Sequence, residues 1–473
     1  MAFPIIDIHF HSTLKPFGQS FYPNENPKDA CSEACIWRSD PPTDEDEVLE
    51  NLVGFPPYRQ SDFSSLMRGG VNVAVVSLYP IETGFVNPTV LSSLARYSVD
   101  LIALFGRKRV DYIKSPSFNY FKDLNDEYNY LLLLDKKIPT NGRSQYNLVD
   151  SGAALTQALP TESLNIIVSI EGAHVFCNGH DVKDPNNWST LDADVRSVKA
   201  WKYPPFFITL NHHFNNSLAS HAQSLFVKVL GKDLFDQKEA METPYQENGK
   251  YISPRGEKVI DLLYATDNGR RIFIDIKHMA KETRKEFYQY RAAKNYNNIP
   301  IICSHSATVN FYNHSLNLDK DDIEAIYNSN GLIGIELDQR VLGYNDGEKG
   351  SRFWNWIKNI FKSSSQKDKF WSGYFWKNIL VIAEQCYTMD NTQNPWRLIC
   401  LGSDLDGIIN PLNKYRTTNE FQNLANALLA DVQDYWNNGN SKIPQNHLGI
   451  DAHDVVYQIM YANALGFIQQ NYK

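Results

Sequence analysis

Eight short apolar runs, rich in Ile, Val and Leu, recur along the 473 residues of this chain. Each run is too short for a helix and is mostly apolar at both odd and even positions. Strands that are buried on both faces of a parallel sheet have this pattern. The runs are Pro4–Phe10, Val71–Leu78, Asn165–Ile170, Phe206–Leu210, Arg271–Ile276, Pro300–Ser304, Leu332–Leu337 and Leu398–Gly402.

Helix-like segments such as Lys281–Asn295 and Asp321–Asn328 lie between several of these runs. Buried strands that alternate with helices predict βα units, and eight such units predict an α/β fold of the (β/α)₈ TIM-barrel type. A doubly wound open sheet is the competing fold. The two differ in where polar residues fall, because only a barrel gathers the C-terminal ends of all its strands around one mouth.

The length of the chain exceeds what a minimal barrel needs. A barrel takes about 250 residues, which leaves roughly 220 residues of this chain for long inserted loops. We therefore expect a single barrel over residues 1–473, with insertions near 12–65, 213–258 and 340–394.

The composition argues against several partners and compartments. The 46 Lys and Arg against 54 Asp and Glu give a net charge of −8, which disfavours a nucleic-acid or anionic-membrane partner. No apolar stretch approaches the roughly 18 residues that a membrane span needs. The first residues lack the regions of a signal peptide, and six cysteines are too few for a disulfide scaffold. We expect a cytoplasmic protein.

Histidines and acidic residues follow six of the eight predicted strands at their C-terminal ends. His9 and His11 end the first strand two residues apart, so both imidazoles point to the same side. Five of the 12 histidines in the chain occupy such positions, beside a Glu and an Asp. The candidate site residues are His9, His11, Glu171, His212, His278, His305 and Asp404.

This set of side chains predicts a metal site, because imidazole nitrogen and carboxylate oxygen are the ligands of Zn²⁺ and related divalent ions. One catalytic zinc uses three protein ligands and a water, and the set exceeds that number. The surplus suggests two Zn²⁺ ions that share Glu171, with a nucleophilic hydroxide between them. Asp404 would accept its proton and deliver it to the leaving amine.

Other polar residues near the strand ends are weaker candidates. His174 falls in a loop beyond the third strand. Lys277 precedes His278 and should point the opposite way, into the helix layer or an ion pair. Glu336 and Asp338 end the seventh strand and should either bond to a metal ligand or contact substrate.

The motifs resemble, in the same order along the chain, those of the membrane (renal) dipeptidase family, the M19 peptidases of the amidohydrolase superfamily. The resemblance extends from residue 4 to about residue 468. It is carried by Asp7–His11, Glu171–His174, Ile208–His212, Asp275–His278, Ser304–Ala307 and Gly402–Gly407.

The resemblance implies a role for each candidate residue. It implies that one zinc is held by His9 and His11, that the other is held by His278 and His305, and that Glu171 bridges both. His212 would polarise the substrate carbonyl or bind the tetrahedral intermediate, and Asp404 would be the acid and base. Family members cleave dipeptides and often pair through their barrels, so a dipeptide-like substrate and a homodimer are expected.

Two positions depart from the family pattern. His11 stands where the family usually has Asp, a change that preserves metal binding. The Arg that grips the substrate carboxylate in the family follows the Ser-His-Ser motif, but the stretch Asn313–Asn317 contains no Arg. Arg340, just beyond the seventh strand, is a candidate substitute, and an exposed loop Arg is the other interpretation of that residue.

The sequence leaves three functions open. The first is zinc-dependent hydrolysis of a dipeptide-like amide bond by a metal-bridging hydroxide. The second is another amidohydrolase reaction, on a cyclic amide or an N-acyl amino acid, which the missing Arg favours. The third is a non-catalytic metal-binding barrel, and the presence of both His212 and Asp404 argues against it.

Overall fold

The computed structural model describes residues 2–43, 46, 56–86, 105–161, 163–225, 228–229, 232–233, 235–245, 249–344 and 364–473. Its centre is a closed barrel of eight parallel strands, which confirms the predicted (β/α)₈ fold. The barrel strands are β1 Ile5–Phe10, β2 Val71–Leu78, β3 Leu164–Glu171, β4 Phe207–Thr209, β5 Phe273–Asp275, β6 Ile302–Ser306, β7 Leu332–Ile335 and β8 Ile399–Leu401.

Two strand pairings close the ring of the barrel, and an open sheet would lack one of them. Strands β2 and β3 pair in register from Val73 opposite Asn165 onwards. The first strand pairs with the last, with Asp7 opposite Leu401. This seam continues past the strands, because the Asp404 N–H donates to the carbonyl of His9 at 2.9 Å. A further strand, Tyr146–Leu148, pairs with the start of β3 outside the ring.

Helices surround the barrel and bury the outer faces of its strands. Every residue of β1 and β3 is buried, as expected for strands covered on both sides. The helices are α1 Leu14–Gln19, α2 Phe63–Arg68, α3 Arg107–Ile113, α4 Tyr120–Leu132, α5 Gly152–Ala158, α6 Leu191–Lys199, α7 Pro254–Tyr264, α8 Lys281–Ala293, α9 Lys320–Asn328, α10 Ser364–Met389, α11 Phe421–Asn437, α12 Ala452–Tyr457 and α13 Asn463–Asn471.

The two helices predicted from sequence correspond to α8 and α9. Helix α9 begins with a capping box, in which the Asp319 side chain accepts from the N–H of Asp322 and the Asp322 side chain accepts from the N–H of Asp319. Such caps satisfy backbone donors that have no partner inside the helix.

The predicted insertions are described in part. Residues 44–45, 47–55 and 345–363, which belong to the first and third insertions, lie outside the described residues, as do several positions between 226 and 248. The third insertion includes α10, whose Trp371 and Trp376 are buried. In the described part of the chain, no helix combines the length and the apolar character that crossing a membrane requires.

Candidate metal centre and substrate pocket

The carboxylate of Glu171 lies at the middle of the barrel mouth, where β3 ends, and is 2% exposed. Parallel strands bring their C-terminal ends to one face of a barrel, and this places five imidazoles around that carboxylate. The distances from imidazole Nε2 to the nearer carboxylate oxygen are 3.5 Å for His9, 2.8 Å for His11, 3.3 Å for His212, 3.2 Å for His278 and 3.5 Å for His305.

Asp404 belongs to the same cluster and lies just after β8. Its carboxylate oxygens are 3.7 Å from His9 Nε2, 3.6 Å from His11 Nε2 and 3.8 Å from His305 Nε2. The residue has a φ of 59°, a left-handed conformation that is uncommon outside glycine and is found at functional sites. Burial, together with the negative charge of Glu171, raises the pKa of the Asp404 carboxyl well above its usual range.

The imidazoles have the chemistry of metal ligands. Burial lowers the pKa of His9 and His305, and it lowers the pKa of His278 to about 3, so these rings are neutral near pH 7. Neutral imidazole is the form that binds metal ions. Among the described residues, Nε2 of His9, His11 and His305 has no hydrogen-bond partner, although each atom lies close to a carboxylate.

Among the described residues, four groups of buried side chains could each hold an ion, and two of them share Glu171. The two groups without Glu171 are His212, His213 and His278, and His305, Glu336 and Asp404. Within each group, all candidate ligand atoms lie within 4.8 Å of one another. Buried nitrogens without hydrogen bonds that converge on shared carboxylate oxygens fit divalent cations between them. The two groups that share Glu171 are His9, His11, Glu171 and Asp404, and Glu171, His278 and His305.

A buried hydrogen-bond chain orients His305. Asp275, at the end of β5, accepts from the Ser304 hydroxyl at 2.6 Å and from the Ser304 N–H at 3.0 Å. The same hydroxyl lies 2.8 Å from His305 Nδ1. Because the hydroxyl hydrogen is given to Asp275, the imidazole carries its proton on Nδ1 and leaves Nε2 free to bind a metal. Contacts of this kind fix the tautomer of metal-binding histidines.

Glu82, which the sequence analysis did not single out, has the corresponding role for His212. It follows β2 and accepts from His212 Nδ1 at 2.9 Å and from the Tyr79 hydroxyl at 3.0 Å. The backbone N–H groups of His213 and Phe214 also donate to it. Burial would raise its pKa, but the positive charge and hydrogen bond of His212 lower the pKa to about 2.

A pocket opens beside this cluster, and its polar wall consists mainly of two ion pairs. Lys277 Nζ lies 3.3 Å from the Glu336 carboxylate, and both side chains are buried. The Arg340 guanidinium holds the Asp338 carboxylate through Nε, at 3.0 and 3.1 Å, and through Nη2. These four residues line the pocket together with Asp404.

The prediction that Lys277 points away from His278 is wrong, whereas its predicted ion pair is present. Lys277 lines the same pocket as its neighbour His278. Strand β5 ends at Asp275 and His278 has a φ of 64°, so the alternation of side chains does not extend to these residues. The interpretation of Arg340 as an exposed loop residue is also wrong, because its side chain is only 22% exposed.

His174 lies outside the cluster. Its Nε2 is 2.8 Å from the carbonyl of Pro80, and its ring packs edge-on against Tyr120 at 4.9 Å. His213, by contrast, belongs to the pocket wall, and its ring lies 5.0 Å from that of His278. The signal for His213 was its place beside His212 at the end of β4.

Taken together, a (β/α)₈ barrel with a buried His and carboxylate cluster at its C-terminal mouth defines a metal-dependent hydrolase. Residues 57–438 match the sequence profile of the membrane dipeptidases, peptidase family M19. The chain therefore belongs to the membrane dipeptidase family and is an enzyme of the metallo-dipeptidase type.

Solved structures resemble the fold over nearly the whole chain, at low sequence identity. A probable dipeptidase, PvdM, from Pseudomonas aeruginosa is 13% identical, with a TM-score of 0.53 over 99% of this chain and 95% of that one. A metallopeptidase from Rhodobacter sphaeroides, liganded with a phosphinate mimic of the dipeptide L-Ala-D-Ala, is 12% identical, with a TM-score of 0.52 over 100% of both chains. No curated protein sequence matches the chain.

Proposed function

We propose that this enzyme hydrolyses the amide bond of dipeptides with the help of two divalent ions at the barrel mouth. The observation that carries the proposal is the Glu171 carboxylate, which has five imidazole Nε2 atoms within 3.5 Å. Membership of the membrane dipeptidase family supports the reaction type. The dipeptide mimic bound by the Rhodobacter metallopeptidase supports a dipeptide-sized substrate.

We assign one ion to His9 and His11 and the other to His278 and His305, with Glu171 as the shared ligand. Zn²⁺ fits this mixture of imidazole and carboxylate, and other divalent ions fit the same ligands. When bound, the ions would polarise the scissile carbonyl and supply a hydroxide nucleophile at neutral pH.

The side chains of the protein carry the proton transfers. In the proposed mechanism a carboxylate oxygen of Asp404 takes the proton of the attacking water and passes it to the nitrogen of the leaving amine. His212 donates a hydrogen bond from Nε2 to the carbonyl oxygen as negative charge develops there. Glu82 holds the other nitrogen of His212, so the ring enters the reaction in a fixed orientation.

A second candidate is hydrolysis of a cyclic amide or an N-acyl amino acid by the same centre. The observation that favours it is the pairing of Arg340 with Asp338, which engages the one Arg that the sequence offered for a substrate carboxylate. The chemistry of bond cleavage would be unchanged, because only the groups flanking the amide differ.

The test is release of amino acids from L,L- and L,D-dipeptides by protein reconstituted with Zn²⁺, beside a chelated control. Metal-dependent release is expected. Absence of release with dipeptides, but turnover of N-acyl amino acids or cyclic amides, would replace the first candidate by the second. The Asp404→Asn variant should retain its metal and lose turnover, and unchanged turnover would contradict the proton-transfer role. A cytoplasmic location and a homodimer stay predictions.

A further inference from the structure

Lys277 places a buried positive charge in the pocket beside the metal centre. It lies two residues beyond the end of β5, directly before His278, and is 2% exposed. The pocket wall that it forms also contains Glu336 and Asp404. A buried ammonium group needs acceptors for its three N–H donors, because unpaired donors away from water cost free energy.

The hydrogen bonding of Lys277 is incomplete. Its Nζ lies 3.4 Å from Oε1 and 3.3 Å from Oε2 of Glu336. Charge-assisted bonds of this type are usually about 2.7 to 2.9 Å long. Across the described ranges Nζ bonds to no acceptor outside Glu336. The ammonium group therefore has donors available for a second anionic acceptor in the pocket.

Arg340, the other cation of the pocket, is held much more firmly. Its Nε and Nη2 grip the Asp338 carboxylate, which in turn accepts from the backbone N–H groups of Arg340 and Asn410. A guanidinium held in this way would lose these charge-assisted hydrogen bonds if it turned to a ligand. Lys277 is therefore the better cation for a ligand.

His213 adds a second donor to the same wall. Its Nδ1 lies 2.6 Å from the hydroxyl of Ser224, which also accepts from Gln237 Nε2 at 3.2 Å. Among the described residues the Ser224 hydroxyl has no other acceptor for its own hydrogen, so we assign that hydrogen to Nδ1 and the imidazole proton to Nε2. This Nε2 is buried and has no hydrogen-bond partner in the described part of the chain. An N–H group in this condition calls for an acceptor from the ligand.

We infer that Lys277 and His213 together bind the terminal carboxylate of the substrate. The inference rests on the proposed function and specifies the substrate class as dipeptides with a free α-carboxylate. An ammonium group and a neighbouring imidazole N–H offer two donors to the two oxygens of a carboxylate. Both lie beside His278, since Lys277 precedes it in the chain and the His213 ring lies 5.0 Å from its ring.

The experiment compares alanyl-alanine with its C-terminal amide, in L,L and L,D forms, on metal-loaded protein. Lys277→Met and His213→Phe remove the two donors. Because Lys277→Met leaves Glu336 buried without its partner, the double variant Lys277→Met with Glu336→Gln is measured as well. Lys199→Met is the matched control, since Lys199 is also buried but bonds to the Ala265 carbonyl and the Asn268 side chain.

The wild-type enzyme is expected to prefer the free acid. Lys277→Met should lower kcat/KM for the acid about 10- to 100-fold, mainly through KM, and should lower kcat/KM for the amide far less, most clearly in the double variant with Glu336→Gln. His213→Phe should cost about 3- to 10-fold for the acid. Lys199→Met should keep the wild-type preference.

A second readout does not depend on turnover. Calorimetric titration uses a phosphinate mimic of alanyl-alanine and the C-terminal amide of that mimic, with metal content measured for each variant. Equal preference for the acid in wild type and in both pocket variants would overturn the inference, as would loss of bound metal in those variants. A wild-type protein that prefers the acid mimic but cleaves no dipeptide would overturn the dipeptidase function and support the carboxylate subsite.

Discussion

Replacing Ser304 by Ala should weaken metal binding without removing any proposed metal ligand. The Ser304 hydroxyl donates to Asp275 at 2.6 Å and accepts from His305 Nδ1 at 2.8 Å, and all three side chains are fully buried. The variant therefore loses one hydrogen bond to a charged acceptor, worth about 1.5 to 3 kcal/mol, and leaves a buried N–H unpaired at a cost of about 1 to 3 kcal/mol. Because these effects are partly compensated by relaxation, we expect a total near 3 kcal/mol.

Part of this cost falls on the metal site, because the orientation of His305 is no longer fixed. Loss of such a supporting contact typically lowers metal affinity about 10- to 100-fold. The assay is a competition titration of bound metal against a chromogenic chelator, together with the midpoint of thermal unfolding for the chelated protein. Ser77→Ala is the matched control, since Ser77 is equally buried in β2 and its hydroxyl has no hydrogen-bond partner among the described residues. If Ser304→Ala binds metal as tightly as Ser77→Ala, the proposed role of the chain from Asp275 to His305 is refuted.

Three further predictions concern the site and the barrel. Glu82→Gln should lower kcat about 10- to 100-fold with metal content unchanged, because His212 loses a charged acceptor, and steady-state kinetics with metal analysis would check this. Gly334→Ala should destabilise the protein by about 3 kcal/mol or more in a denaturant titration, because a Cβ there would collide with the carbonyl of Ser304. Gly373→Ala on α10 is the control, since a Cβ there meets nothing within 4 Å, and it should be neutral or stabilising in that titration. Removal of metal should lower the midpoint of thermal unfolding, and metal restored at 100 times its Kd should raise the free energy of unfolding by about 2.7 kcal/mol. Identical midpoints for the metal-loaded and the chelated protein would contradict a bound ion.

The barrel strands could be predicted because each leaves a local pattern in the sequence. A run such as Val71–Leu78 is apolar at most of its positions and too short for a helix, as expected for a strand covered on both faces. The strand Tyr146–Leu148 was missed, since three residues of mixed polarity carry no such pattern and owe their pairing to contact with β3. Tertiary contact, rather than local preference, decides such short strands.

The candidate ligands were visible because they follow strands whose direction is fixed. His9 lies in β1 and His11 directly follows its last residue, and the barrel brings both imidazoles to Glu171. Glu82 was not visible, because it belongs to an irregular segment after β2 and meets His212 across 130 positions of sequence. Lys277 was misjudged for a related reason, since the alternation rule ends where β5 ends.

The seam between β1 and β8 also sets the order of events during synthesis on the ribosome. His9 and Asp404 are 395 positions apart, and they come together only when the last strand joins the first. At about 5 to 20 residues per second, roughly 20 to 80 seconds pass between the making of the two residues. Throughout that interval the nascent chain carries its first two histidines in an incomplete site. The complete site, in which Asp404 joins the assigned metal ligands, therefore forms only when the ring closes.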